Sequence, residues 1–189
     1  MKTQPHACGK EENDAIIANE PVDPQKVAQA RRIMLALQQE LKEHISNGAG
    51  PFLAAVYDAQ GVLIAKASNS VVRDNCSSHH AEINAIAAAE KKLNTFDLSN
   101  RHLSLYVTAE PCLMCLGGIM WSGLEAVYYG VPSKRVEEIT GFDEGFKPNW
   151  LQEFKKRGIT VYGNIEPACG EEVLETYVRQ GHKVYKPAR

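Results

Sequence analysis

Three residues of this chain could hold one metal ion, and a fourth beside them could move a proton. His80-Ala81-Glu82 is followed downstream by Pro111-Cys112-Leu113-Met114-Cys115. Histidine nitrogen and cysteine thiolate are preferred zinc ligands, and a structural zinc site fills all four tetrahedral positions with side chains. His80, Cys112 and Cys115 supply three. The fourth position is open to water, whose pKa falls from about 15.7 to roughly 7 on the metal, so hydroxide is available at neutral pH. The pattern therefore reads as hydrolytic.

The spacing supports a division of labour. Cys112 and Cys115 stand three apart, which places both sulfurs on one face of a helix that Pro111 would open, and the positive helix end favours thiolate over thiol. Glu82, two residues past His80 on a second helix, points to a different side and is placed to hydrogen-bond the water as general base. A Cys-x-x-Cys redox pair or a closed structural knuckle explains the cysteines but neither the His-x-Glu nor its spacing. His79 adjoins His80 and reads as a solvated or supporting residue, because Glu82 stands two residues from His80 and three from His79. Cys8, Cys76 and Cys169 show no spacing that suggests a disulfide framework and read as thiols.

Elements that could position these groups follow from the pattern of the remaining chain. With 189 residues, 44% of them hydrophobic, the sequence suits one domain with a sizeable core. Lys and Arg number 21 against 23 Asp and Glu, so no overall positive field draws nucleic acid. No apolar run approaches membrane-spanning length and no signal core is evident, so a cytoplasmic protein is expected. Residues 1–22 are polar and read as a flexible N-terminal arm. Residues 23–189 form the domain, beginning with an amphipathic helix from Asp23 to Ser46 capped by Asp23 and Pro24. A hairpin is expected from Phe52–Tyr57 and Val62–Ala67, a helix over His80–Leu93 capped by Ser77 or Ser78, and a strand over Leu103–Val107. The cysteine helix, strands at Ala126–Tyr129 and Ile159–Tyr162, and a helix from about Gly170 to Gln180 complete an α/β sandwich with a mixed sheet.

His-x-Glu with a distant Pro-Cys-x-x-Cys is the signature of zinc nucleobase deaminases. Across roughly residues 23 to 186 the chain resembles the cytidine deaminase superfamily, and within it the bacterial guanine deaminase branch. Beyond the zinc signature, the resemblance is carried by Gly50-Pro51-Phe52, Asn69, Trp121 and Gly141-Phe142-Asp143-Glu144. It implies a three-layer αβα fold with a five-stranded mixed sheet, one zinc per subunit, and hydrolysis of an exocyclic amine on a free nucleobase, guanine to xanthine plus ammonia. It also implies a homodimer in which the C-terminal segment crosses to the partner's site, with Tyr185 as the candidate lid.

The resemblance assigns roles as well. Glu82 would pass a proton from water to a ring nitrogen, and Glu144 would supply the second. Asp143, its neighbour, is the alternative carboxylate, since the family more often carries Asp here. Asn69 would read the base edge, Phe52 and Trp121 would wall a flat ring, and the Ala81 backbone would bond it. Alternatives are a transfer-RNA adenosine deaminase, which would extrude its target base into a similar pocket, and a deaminase of a triazine, pterin or nucleoside. Lys155-Lys156-Arg157 and the Lys183–Arg189 tail could rim a nucleic-acid site, though the net charge of −2 argues against it. A zinc-stabilised scaffold without activity is the remaining class.

Overall fold

The computed structural model describes residues 15–47 and 49–184. The expectations for Tyr185, for Cys8 and for most of the N-terminal arm lie outside them.

A six-stranded mixed sheet lies at the centre, one strand more than expected. The extra strand, β1 (Ile17–Ala18), comes from the segment read as an arm, and it pairs antiparallel with β6 (Thr160–Gly163) through Ile17↔Gly163 and Ala18↔Tyr162. Asn19 fastens it. Its amide nitrogen donates to the carbonyls of Leu151 (3.2 Å) and Ile159 (2.9 Å), and its oxygen accepts from Val161 N (2.8 Å). Two residues carry no periodicity, so side-chain anchoring and not hydrophobic pattern makes this strand.

The other elements follow in order. α1 (Pro24–Ser46) is capped by Asp23, whose carboxylate accepts from the backbone of Gln25 and Lys26, as its sequence predicts. β2 (Leu53–Tyr57) and β3 (Leu63–Ser68) form the hairpin, then a single turn, α2 (Val71–Asp74), leads to α3 (Ala81–Leu93). β4 (Ser104–Ala109), α4 (Leu113–Ser122) and β5 (Ala126–Val131) make a parallel strand-helix-strand unit, with Gly123 at φ 84° ending α4 where a side chain would be strained. α5 (Ser133–Thr140), α6 (Trp150–Lys156), β6 and α7 (Pro167–Arg179) complete the chain. The strand order is β1-β6-β5-β4-β2-β3, with β4, β5 and β6 mutually parallel and the others antiparallel.

Two hydrophobic layers sandwich this sheet because its strands alternate. Leu105, Val107, Val127 and Tyr129 face α3, α4 and α6, while Tyr106, Tyr128 and Tyr162 face α1 and α7. The three tyrosines stack across neighbouring strands with centroids 4.5 and 5.4 Å apart. Cys169 on α7 is disulfide-bonded, which corrects its reading as a thiol. No helix among the described residues is long and apolar enough to cross a membrane.

Candidate active site

Two helix starts meet at one end of the sheet. His80 is the N-cap residue of α3, with ψ 156°, and Cys112 is the N-cap residue of α4, with ψ 168°. Neither sits inside its helix as the sequence spacing suggested, and Ser77 and Ser78 do not cap α3. Extended backbone at each cap turns the side chain toward the helix start, where unpaired N–H groups and the dipole favour anionic sulfur. Cys115, in the first turn of α4, completes the group. His80 Nδ1 lies 3.4 Å from Cys112 Sγ and 3.6 Å from Cys115 Sγ, and the three ligand atoms lie within 4.8 Å of one another. Three donors of this softness, gathered at the two cysteines and one histidine, fit tetrahedral zinc with one position left for a non-protein ligand.

His79 points elsewhere. Its Nδ1 pairs with Asp74 Oδ2 at 3.0 Å, and the same carboxylate oxygen accepts from Ser70 Oγ at 2.6 Å. Asn84 ties both ends of this loop, its amide donating to the Ser68 carbonyl (3.0 Å), Ser70 Oγ (3.0 Å) and the His79 carbonyl (3.3 Å). The loop that carries Asn69 at one end and His80 at the other is thereby held from inside.

Electrostatics follow burial. Glu82, 6% exposed, has its carboxyl pushed up to about 7, chiefly by burial, with the Cys112 thiolate adding to the effect. The Cys112 thiol is held down at about 4 by hydrogen bonding from Cys115 and His80 against the cost of its burial. Cys115 is pushed up by that same bond and by burial. Glu144 is also raised to about 7 by burial, opposed by the Lys147 ammonium and the Ser133 hydroxyl. Two buried carboxyls poised near neutrality in one recess suit proton transfer in either direction.

That recess is lined by His80, Glu82, Glu110, Cys112, Glu144 and Asn69, with Phe52 and Phe142 beside them. It opens into a larger cavity of about 570 Å³ that shares Phe52, Asn69, His80 and Phe142 and extends past Tyr177 to Val184, the last described residue. The rings of Phe52 and Phe142 stand 6.3 Å apart, and Phe142 lies 6.1 Å from the His80 ring. Asn69 Oδ1 accepts from Val71 N at 3.2 Å. Ala81 opens α3, so its N–H precedes the intrahelical ladder.

Two expected residues stand away from the recess. Asp143 is exposed and its carboxylate caps a turn, accepting from Gly145 N at 2.8 Å, so of the two adjacent carboxylates it is Glu144 that enters the recess. Trp121 is 88% exposed and lines neither cavity. The reason is helical phase: Cys115, Leu116, Ile119 and Ser122 form the buried face of α4, and six residues after Cys115 carry Trp121 about 240° round the axis. Three neighbours of the expected residues escape sequence reasoning. Phe142 is signalled only by its place beside Glu144 in the Gly-Phe-Asp-Glu motif, whereas Glu110 and Lys147 carry no signal beyond a charge.

Residues 27–131 match the family described as the cytidine and deoxycytidylate deaminase zinc-binding region. Guanine deaminase of Bacillus subtilis (strain 168) is 38% identical over 104 residues, 55% of this chain and 65% of that protein. The tRNA-specific adenosine deaminase of the same organism is 35% identical over 153 residues, 80% of this chain and 89% of that one. Among solved structures, guanine deaminase from Nitrosomonas europaea superposes with a TM-score of 0.74 at 35% identity, covering 89% of this chain and 98% of that one. The protein NE0047 in complex with 2,6-diaminopurine superposes with a TM-score of 0.77 at 34% identity, covering 93% and 98%. With the His80, Cys112 and Cys115 cluster and buried Glu82 in the positions that signature requires, the chain belongs to the cytidine deaminase superfamily, in its guanine deaminase branch.

Proposed function

We propose that this chain hydrolyses the exocyclic amine of guanine, releasing xanthine and ammonia. The observation that carries the reading is a recess in which two buried carboxyls, Glu82 and Glu144, flank a zinc-type donor set. His80, Cys112 and Cys115 would hold the metal, one ion per subunit. When bound, zinc supplies a Lewis acid that makes water a nucleophile at neutral pH. The chain's own groups then handle the protons. Glu82 takes one from the attacking water and passes it to a ring nitrogen, and Glu144 protonates the departing amine and recovers a proton from the new C–OH as the carbonyl forms, so that neutral ammonia leaves.

Binding would come from flat and polar walls. Phe52 and Phe142, whose rings tilt 49° against each other, would form one apolar wall beside the ring, while Asn69, whose amide both donates and accepts, meets the mixed edge of a purine. The Ala81 N–H adds a backbone donor. Likeness to guanine deaminases, and to a protein that holds 2,6-diaminopurine, supports an amino-purine substrate. Trp121 then serves outside the pocket. Together with exposed Leu113 and Met114 it leaves an apolar face on α4, which supports a homodimer through this helix.

A transfer-RNA adenosine deaminase is the second reading, favoured by a tRNA-specific relative that matches 80% of this chain. Ammonia release from guanine and from an RNA stem-loop, measured side by side on zinc-loaded protein, separates the two. Guanine as the main source supports the proposal, and release only from RNA replaces it.

A further inference from the structure

Glu144 is gripped by more groups than an acid in a recess requires. Lys147, three residues on, has a side chain only 8% exposed. Its ammonium carries three donors and faces four acceptors: Glu110 Oε1 at 2.8 Å, the Pro111 carbonyl at 3.0 Å, Glu144 Oε2 at 3.3 Å, and Ser133 Oγ. Ser133 in turn donates its hydroxyl proton to Glu144 Oε2, while its backbone N–H donates to Glu110 Oε2 at 2.9 Å. Lys147 therefore reaches Glu144 both directly and through Ser133. Leu113 N also donates to the Glu144 backbone carbonyl at 3.1 Å, so the main chain of this residue is fastened to the start of α4.

The geometry is one-sided. Among the described residues, every hydrogen bond or ion pair to the Glu144 carboxyl falls on Oε2. Oε1 accepts from no described residue, and Glu144 lines the recess that it shares with Glu82 and His80. An ion network of this kind is a poor device for stability, since apolar residues of similar volume commonly do as well or better. Its value lies in connection. Lys147 links the peptide just ahead of Cys112, the start of α5 and the Glu144 carboxyl, three parts of the chain that only the fold brings together.

We propose that Lys147, acting with Ser133, is a positioning residue that holds the Glu144 carboxyl by one oxygen and presents the other to the bound base. This rests on the functional reading above, in which Glu144 protonates the leaving amine. A misplacement of about 1 Å in a reacting group costs on the order of 10²-fold in rate, and releasing Oε2 would allow the side chain that much freedom.

The test is a double-mutant cycle on the full chain, using whichever purine the zinc-loaded wild type deaminates. Lys147→Met is expected to lower kcat by roughly 10- to 100-fold with KM changed less than about threefold and zinc content unchanged. In a Glu144→Gln background the same substitution should change kcat by less than about twofold, because a residue that acts only through Glu144 has nothing left to act on. Equal losses in both backgrounds would mark a general structural role and overturn the proposal, as would an unaltered kcat or a loss explained by missing zinc. Should Lys147→Met not fold, Ser133→Ala, which deletes only the relay, carries the same cycle with the same criteria. A wild type that turns over guanine, with Glu144→Gln slow and both positioning variants unaltered, would remove this inference and leave the functional reading standing. A Glu144→Gln variant as fast as wild type would remove both.

Discussion

Gly50→Ala tests the assigned role of Asn69 without touching Asn69. A methyl built at Gly50 would stand 2.8 Å from Asn69 Oδ1 and 3.0 Å from both its Cβ and Cγ, where ordinary contact begins at 3.4 Å. Because Cβ is fixed to the backbone, rotating the amide cannot relieve the clash, and the side chain must retreat by about 0.5 Å. Gly50 has no positive φ, so alanine is otherwise compatible with the backbone there. A hydrogen bond of about 2.9 Å from Asn69 to the base would stretch to about 3.4 Å, past the useful range. Leaving a buried polar group of the base unpaired costs about 1–3 kcal/mol, which is roughly a 5- to 150-fold fall in kcat/KM. The contact is made alike in ground and transition states, so the loss should fall mainly on KM. Steady-state ammonia release on guanine, with zinc content measured in parallel, reads it directly. A kcat/KM within twofold of wild type would refute the edge-reading role. So would a loss of full size that persists in an Asn69→Ala background.

Two other perturbations address the metal and the buried acid. Cys112→Ser should leave the purified chain with well under one zinc per subunit by metal analysis, and full occupancy would strike Cys112 from the ligand set. The Glu144 carboxyl, raised to about 7 by burial, has a folded value above its unfolded one, so it contributes stability that is present at low pH and lost as pH rises through the folded value. Between pH 6 and pH 8 the wild type should therefore lose about 1 kcal/mol from this group, and Glu144→Gln should flatten that slope in denaturant titrations at saturating zinc. A slope unchanged by the substitution would contradict the buried, near-neutral state.

Residues whose chemistry restricts the choice of side chain are legible in the amino-acid sequence alone. Zinc accepts few ligand types, so His80, Cys112 and Cys115 stand out by identity and spacing, and the fold gathers them within 4.8 Å. Long periodic segments are legible too, as in α1, where Asp23 and Pro24 mark the start to the residue. Short elements are not. β1 has two residues and α2 a single turn, while α5 and α6 span only eight and seven residues, too few to repeat a helical pattern over several turns. α7 begins at Pro167, ahead of the expected start, because Glu166 turns the chain through a left-handed conformation that no propensity favours. Trp121, placed beside the ring by resemblance, lies on the exposed side of α4, because its position in the helix turns it away from the buried face of Cys115, Leu116, Ile119 and Ser122. Lys147, Glu110 and Ser133 are ordinary surface residue types in sequence, and only the closing of the loop over residues 141–147 against α4 buries them together.

Zinc content and ammonia release from guanine, compared between the wild type and Glu82→Gln, test the account most directly. Glu82 lies buried in the recess without belonging to the His80, Cys112 and Cys115 donor set. Glu82→Gln should keep its zinc and lose at least about 10²-fold in turnover, the usual scale for a positioned acid or base. Ammonia released by Glu82→Gln at the wild-type rate, or no ammonia from guanine with either protein, would contradict it.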